Sequence, residues 1–191
     1  MIERVSSKRY EPPSIDLENK NSSHSLIVEL TGRDKSILEV GTSTGYLSKI
    51  LKERGNRIIG VEIDREAGEI ARQYCEPMVI GDIEEIDLGE YIDQHSIDVI
   101  IFGDLLEHLR SPASVLENVK KYLRPEGYLV VSLPNVCHGD VLLNLLGGDL
   151  RYTSMGLLDE THLWFFGFKN IINLFNNCGY YVTYIPQVQY A

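Results

Sequence analysis

A chain of 191 residues can hold one domain with a full hydrophobic core and leaves no room for two ordinary ones. Hydrophobic residues make up 43% and charged residues 24%, with 16 Gly and 7 Pro, which excludes collagen-like, low-complexity and wholly disordered chains. The 28 acidic residues outnumber the 18 basic ones to give a formal net charge of −10, a field that repels phosphate backbones and anionic membranes and argues against nucleic acid as a partner.

The first twenty residues, with Pro12-Pro13 and scattered charges, carry no period and read as an irregular arm, leaving 21–191 as the single domain. Met1 to Tyr10 has no apolar block behind its charges, and no purely apolar run is longer than the four residues Val99 to Phe102, so no targeting or membrane-spanning segment is expected. From Ser22 or Ser23 to Gly32, the residues Leu26, Ile27 and Leu30 fall on one helical face. Five apolar runs follow: Ser36 to Val40, Arg57 to Ile63, Met78 to Ile80, Ile97 to Phe102 and Tyr128 to Leu133. They are rich in Ile, Val and Leu without alternation, as strands buried on both faces require.

Helical faces separate them. Leu47, Ile50 and Leu51 form one, Ala67, Ile70, Ala71 and Tyr74 a second, and Val115, Leu116, Val119 and Leu123 a third that stops at Pro125. Ile171, Ile172, Leu174, Phe175 and Cys178 form the last before Gly179, and Tyr181 to Ile185 supplies a final β-type run. This alternation predicts an α/β fold, a doubly wound and mostly parallel sheet in which ligands sit beyond the carboxyl ends of the strands. Cys75, Cys137 and Cys178 show no CxxC or CxxH spacing, so neither a disulfide framework nor a metal site is indicated and a reducing cytoplasm fits.

The segment Glu39-Val40-Gly41-Thr42-Ser43-Thr44-Gly45-Tyr46 turns from strand to helix through small residues that let the backbone approach a ligand. It fails the dinucleotide pattern GxGxxG, with Ser at 43 and Tyr at 46, and no P-loop is present. It does resemble motif I of the class I S-adenosylmethionine-dependent methyltransferases, an acid followed by GxGxG, with Ser43 replacing the middle glycine. The resemblance continues in order through Gly60-Val61-Glu62-Ile63-Asp64, Gly81-Asp82-Ile83, Phe102-Gly103-Asp104-Leu105-Leu106-Glu107-His108-Leu109 and Leu123-Arg124-Pro125-Glu126-Gly127-Tyr128. Leu158-Asp159-Glu160-Thr161-His162-Leu163-Trp164-Phe165-Phe166 looks like a branch of bacterial proteins related to the ubiquinone-pathway O-methyltransferases, several of which accompany glycosyltransferases in surface-polysaccharide gene sets.

The resemblance implies S-adenosylmethionine as cofactor, with residues about 33–134 as its half of the domain. Gly41, Thr42 and Gly45 would shape the loop, Glu39 would orient the methionine end, and Glu62 with Ile63 would hold the ribose. Asp82 and Ile83 would meet the adenine, and Asp104 and Leu105 the ammonium group. Glu107 and His108 are expected only to cap and solvate their turn.

The acceptor side is expected over about 134–166, a long loop after the fifth strand where Asn135, His138, Tyr152, His162 and Trp164 gather, covered by the arm at Tyr10. His138 and His162 are the expected general bases for a hydroxyl acceptor. The acceptor itself would be a small molecule, a sugar or surface-polysaccharide precursor or another metabolite. Two other readings stand beside methyl transfer: a non-catalytic cofactor-binding or scaffold domain, and a nicotinamide-dependent oxidoreductase with a degenerate fingerprint. Methyltransferases of this class end in an antiparallel hairpin, of which only one arm fits here, so the last antiparallel strand is expected to be missing or the chain cut short.

Overall fold

The computed structural model describes residues 15–188. The arm at Tyr10 lies outside them. In chain order the elements are α1 (Ser23–Thr31), β1 (Ser36–Val40), α2 (Tyr46–Glu53), β2 (Arg57–Glu62), α3 (Arg65–Ala71), β3 (Met78–Ile80), β4 (Ile97–Gly103), α4 (Pro112–Lys120), β5 (Leu123–Ser132), α5 (Gly139–Leu146) and α6 (Phe168–Asn177). The strands form one sheet in the order β3-β2-β1-β4-β5, and every neighbouring pair is parallel. Strand order therefore reverses between β1 and β4, the position where such sheets open a crevice at their carboxyl ends.

Successive side chains of a strand point to opposite faces, and here both faces are covered. Ile37, Ile58, Val99 and Ile101 pack with Ile27, Val28, Leu47, Leu51 and Ala71 under α1, α2 and α3. Leu38, Val40, Ile59, Val61, Ile100 and Phe102 pack with Leu116, Val119 and Phe175 under α4 and α6. The apolar runs in the sequence follow from this double cover. Asp64 starts α3 by accepting hydrogen bonds from the amides of Glu66 and Ala67, at 2.8 and 3.1 Å.

Three expectations need correction. Leu123 does not continue α4: it is the first residue of β5 and pairs with Ile97, and the ladder regains its register at Val99 and Tyr128. Pro125 falls within that irregularity, where no ladder N–H is required of it. The stretch after β5 is not one long loop, because α5 forms within it, capped by His138. Tyr181 to Ile185 forms no strand, and Tyr181 is 91% exposed, since a lone β-type run without a neighbour cannot satisfy its backbone in a ladder. Only Val141 of α5 is buried, while Leu143 and Leu146 are 69% and 86% exposed. Among the described residues no helix is long and apolar enough to cross a membrane.

Candidate cofactor and acceptor site

The loop from β1 to α2 is built on left-handed backbone: Gly41 and Gly45 have φ of 80° and Ser43 has φ of 48°. A β-carbon on Gly45 would stand 2.9 Å from the Tyr74 ring and 3.0 Å from the Ala71 Cα, so glycine is required for α2 to lie against α3. Ser43 takes its left-handed turn at a cost on the order of 1–2 kcal/mol relative to glycine. Its amide donates to Glu62 Oε2 at 2.7 Å, which offsets part of that cost.

Glu62, at the tip of β2 and 8% exposed, also accepts at Oε1 from the Asp64 amide at 2.9 Å. One carboxylate thus fastens the glycine loop and the start of α3, while each of its oxygens keeps acceptor capacity for a further donor such as a ribose hydroxyl. Ile63 beside it is half-exposed. Glu39 is buried at the end of β1 and accepts from Ser48 Oγ at 2.6 Å. Burial pushes its carboxyl up to about 7 against the pull of the Ser48 bond, with the negative charge of Glu62 adding to the rise. Thr42 is buried between these tips.

At the tip of β4, Asp104 has φ of 47° and its Oδ1 accepts from Ser132 Oγ at 2.5 Å, tying the tip to the end of β5. Leu105 covers Gly41, whose added β-carbon would meet Leu105 Cδ1 at 3.2 Å. From α1, His24 reaches the same centre, with its Nε2 3.4 Å from Tyr46 Oη and the two rings edge to face at 5.5 Å. Burial lowers the His24 pKa, and the charge of Asp104 opposes the shift. Asp82 accepts from the Glu84 amide at 3.0 Å and pairs with Arg110 Nη2 at 3.1 Å, while Ile83 packs against the core.

Beyond Asp104 lies a residue that the sequence reading misplaced. Glu107 is 1% exposed in a 3-10 turn at Leu106–His108, so it does not cap or solvate that turn. Its Oε2 has no hydrogen-bond partner, and its Oε1 is 3.9 Å from His162 Nε2. Burial pushes its carboxyl up to about 8, with the charges of Asp104 and Asp159 acting the same way. The sequence did carry a signal: Glu107 sits among Leu105, Leu106 and Leu109, apolar neighbours that a solvated acid would lack.

His162 is 6% exposed at its side chain. Its ring meets His108 edge to face at 4.8 Å and Phe165 at 6.1 Å, and Phe165 lies 6.2 Å from Tyr152. The donor atoms of Glu107, His108 and His162 all lie within 4.8 Å of one another. Burial lowers the His162 pKa, helped by His108 and opposed by Asp159, by hydrogen bonding to the Leu157 backbone and by Asp104. His138 stands elsewhere as the N-cap of α5, its Nδ1 accepting from the Asp140 amide at 3.4 Å. Asn135 bridges to Phe166, and Trp164 turns back so that its Nε1 donates to the Leu109 carbonyl at 2.8 Å.

A glycine-built loop beneath two buried acids, opening at the reversal of strand order, fits a nucleoside cofactor without a phosphate chain. The methyltransferase-domain family model matches residues 19–185. The chain belongs to this family. Among relatives, the chain is 26% identical over 122 residues to a ubiquinone biosynthesis O-methyltransferase of Actinobacillus pleuropneumoniae, covering 60% of this chain and 52% of that one. It is 25% identical over 138 residues to a tRNA 5-carboxymethoxyuridine methyltransferase of Escherichia coli, covering 69% and 52%. The chain thus spans about half the length of these relatives. A crystal structure described as a methyltransferase, possible histamine N-methyltransferase, of Thermotoga maritima shares the fold with a TM-score of 0.62 at 19% identity, covering 85% of this chain and 72% of that one. Membership of the family implies S-adenosylmethionine as cofactor, and the fold is shared with solved methyltransferase structures.

Proposed function

We propose that this methyltransferase transfers a methyl group from S-adenosylmethionine to a hydroxyl of a small-molecule acceptor, a sugar or related metabolite, with His162 as general base. The buried His162 ring beside Glu107, one turn beyond the tip of β4, carries the reading. When bound, the cofactor supplies an electrophilic methyl on a sulfonium. The residues about 33–134 would hold it, through Glu62 toward the ribose diol, Glu39 and Asp104 toward the methionine end, and the turn at Asp82 and Ile83 toward adenine.

The acceptor side, about 134–166, supplies the rings of Tyr152, Phe165 and His162, a surface suited to a flat or sugar-like face. Displacement at a methyl carbon asks mainly for position in a site shielded from water. A hydroxyl acceptor also has to lose its proton, and His162, with its pKa held below the ordinary 6.5, is neutral at pH 7 and able to take it. His138 is engaged as a helix cap and has no part in this reading. The net charge of −10 favours a small metabolite over RNA as acceptor, and free thiols at Cys75, Cys137 and Cys178 favour the cytoplasm.

The test joins calorimetry with S-adenosylhomocysteine to turnover on a panel of hydroxylated acceptors. His162→Ala should lower turnover by roughly 100-fold while affinity for S-adenosylhomocysteine is unchanged. Turnover of the parent should fall as pH drops through the depressed His162 pKa and stay level above it. Binding without turnover across the panel would favour a non-catalytic cofactor-binding domain. Full activity of His162→Ala would leave a purely positional mechanism.

A further inference from the structure

Arg110 follows the turn that carries Glu107 and stands between two halves of the site. On the cofactor side, its Nη2 reaches Asp82 Oδ2 and Glu85 Oε1, each at 3.1 Å, and its Nε reaches Glu84 Oε2 at 3.0 Å. The backbone follows the side chain, since the amides of Arg110 and Ser111 donate to the Glu84 carboxylate at 3.1 and 2.7 Å. The turn after β3 is therefore latched to 110–111 by five hydrogen bonds from two residues.

On the acceptor side, the same strand of chain is gripped by the segment that carries His162. The Glu107 carbonyl accepts from the amides of Leu163 and Trp164, at 2.8 and 3.1 Å, and the Leu109 carbonyl accepts from Trp164 Nε1 at 2.8 Å. Residues 107–111 thus form one short strap with the adenine-side turn at one end and the acceptor segment at the other.

We propose that Arg110 is a positioning residue that couples occupancy of the adenine-side turn to the placement of the segment holding His162. The proposal rests on the reading that the cofactor lies against Asp82 and Ile83. Its physical basis is a mismatch between geometry and stability. Arg110 is 53% exposed at its side chain, and ion pairs so open to water contribute little to folding. Its fork nevertheless fixes the relative orientation of Asp82 and Glu84, which are only 13% and 11% exposed, in a way that a point charge on lysine does not. A ligand that prefers one arrangement of the turn at 82–85 selects, through this fork, one arrangement of 107–111 and so of 163–164.

The chain carries its own reporter, because Trp164 is its single tryptophan and its indole bond to Leu109 lies on the strap. Titration of the parent with S-adenosylhomocysteine should change Trp164 emission, with the same midpoint as the calorimetric isotherm. In Arg110→Ala, S-adenosylhomocysteine should still bind at saturation, the thermal midpoint should stay close to that of the parent, and the emission change should be lost. Arg110→Lys should restore only part of it. Glu85→Ala, which removes the most exposed of the three carboxylates, should keep it. Calorimetric binding in the parent with no emission change, or a full change in Arg110→Ala, overturns the coupling. Absence of calorimetric binding in the parent overturns the cofactor reading and the coupling with it.

Discussion

Glu107 holds its proton because burial penalises its charge and the charges of Asp104 and Asp159 repel it, while its Oε2 finds no hydrogen-bond partner among the described residues. Raising the folded pKa from 4.5 to about 8 means that the native state binds a proton that the unfolded chain releases within that window. The stabilisation is complete below the unfolded value and is lost as pH rises through about 8. Urea midpoints of the parent should therefore fall between pH 4.5 and 8, and Glu107→Gln, which cannot ionise, should flatten part of that fall. A residual slope of the same sign should remain from Glu39, whose carboxyl is also raised, to about 7. At this scale the sequence was most informative about position where a motif was present. Glu39 and Glu62 stand at strand tips as their motif implies, whereas Glu107 is buried in the tight turn at 106–108 against His162 and the amides of 163–164, far along the chain.

Among the elements, β1 and β3 occupy the residues that their apolar runs indicate, because these runs are too short for helices and are bounded by Gly41, Pro77 and Gly81. The junction of α4 and β5 was harder to read. Leu123 continues the helical spacing of Val115, Leu116 and Val119, and only pairing with Ile97 shows that it belongs to the sheet. Helix α5 differs, since its leucines cover no core and only Val141 is buried. The tip of β2 yields a prediction of its own. Glu62 binds the amides of Ser43 and Asp64, so Glu62→Ala should weaken S-adenosylhomocysteine binding by about 1.5–3 kcal/mol in calorimetry, the loss expected for charge-assisted bonds. The thermal midpoint should also drop, because the loop and α3 lose a shared anchor.

For the whole molecule, the order β3-β2-β1-β4-β5 places the glycine loop, Glu62 and Asp104 side by side although they are distant in sequence. Doubly wound topology was legible from the alternation of runs, and the reversal between β1 and β4 then settles where the crevice opens. What the alternation did not reveal was how the acceptor segment is held, since its amides return to Glu107 across a long stretch of chain.

The leucines of α5 have a colloidal consequence. Copies of a chain with net charge −10 repel one another at low ionic strength, and that repulsion holds the exposed faces of Leu142, Leu143, Leu145 and Leu146 apart. At 0.15 M salt the Debye length is about 8 Å, short enough for the repulsion to fade before apolar surfaces meet. Light scattering should therefore grow as sodium chloride is added, and Leu143→Glu with Leu146→Glu should suppress the growth. Handling then runs against habit: dilute buffer keeps the particles apart, and salt, the usual remedy for charged proteins that stick, draws them together.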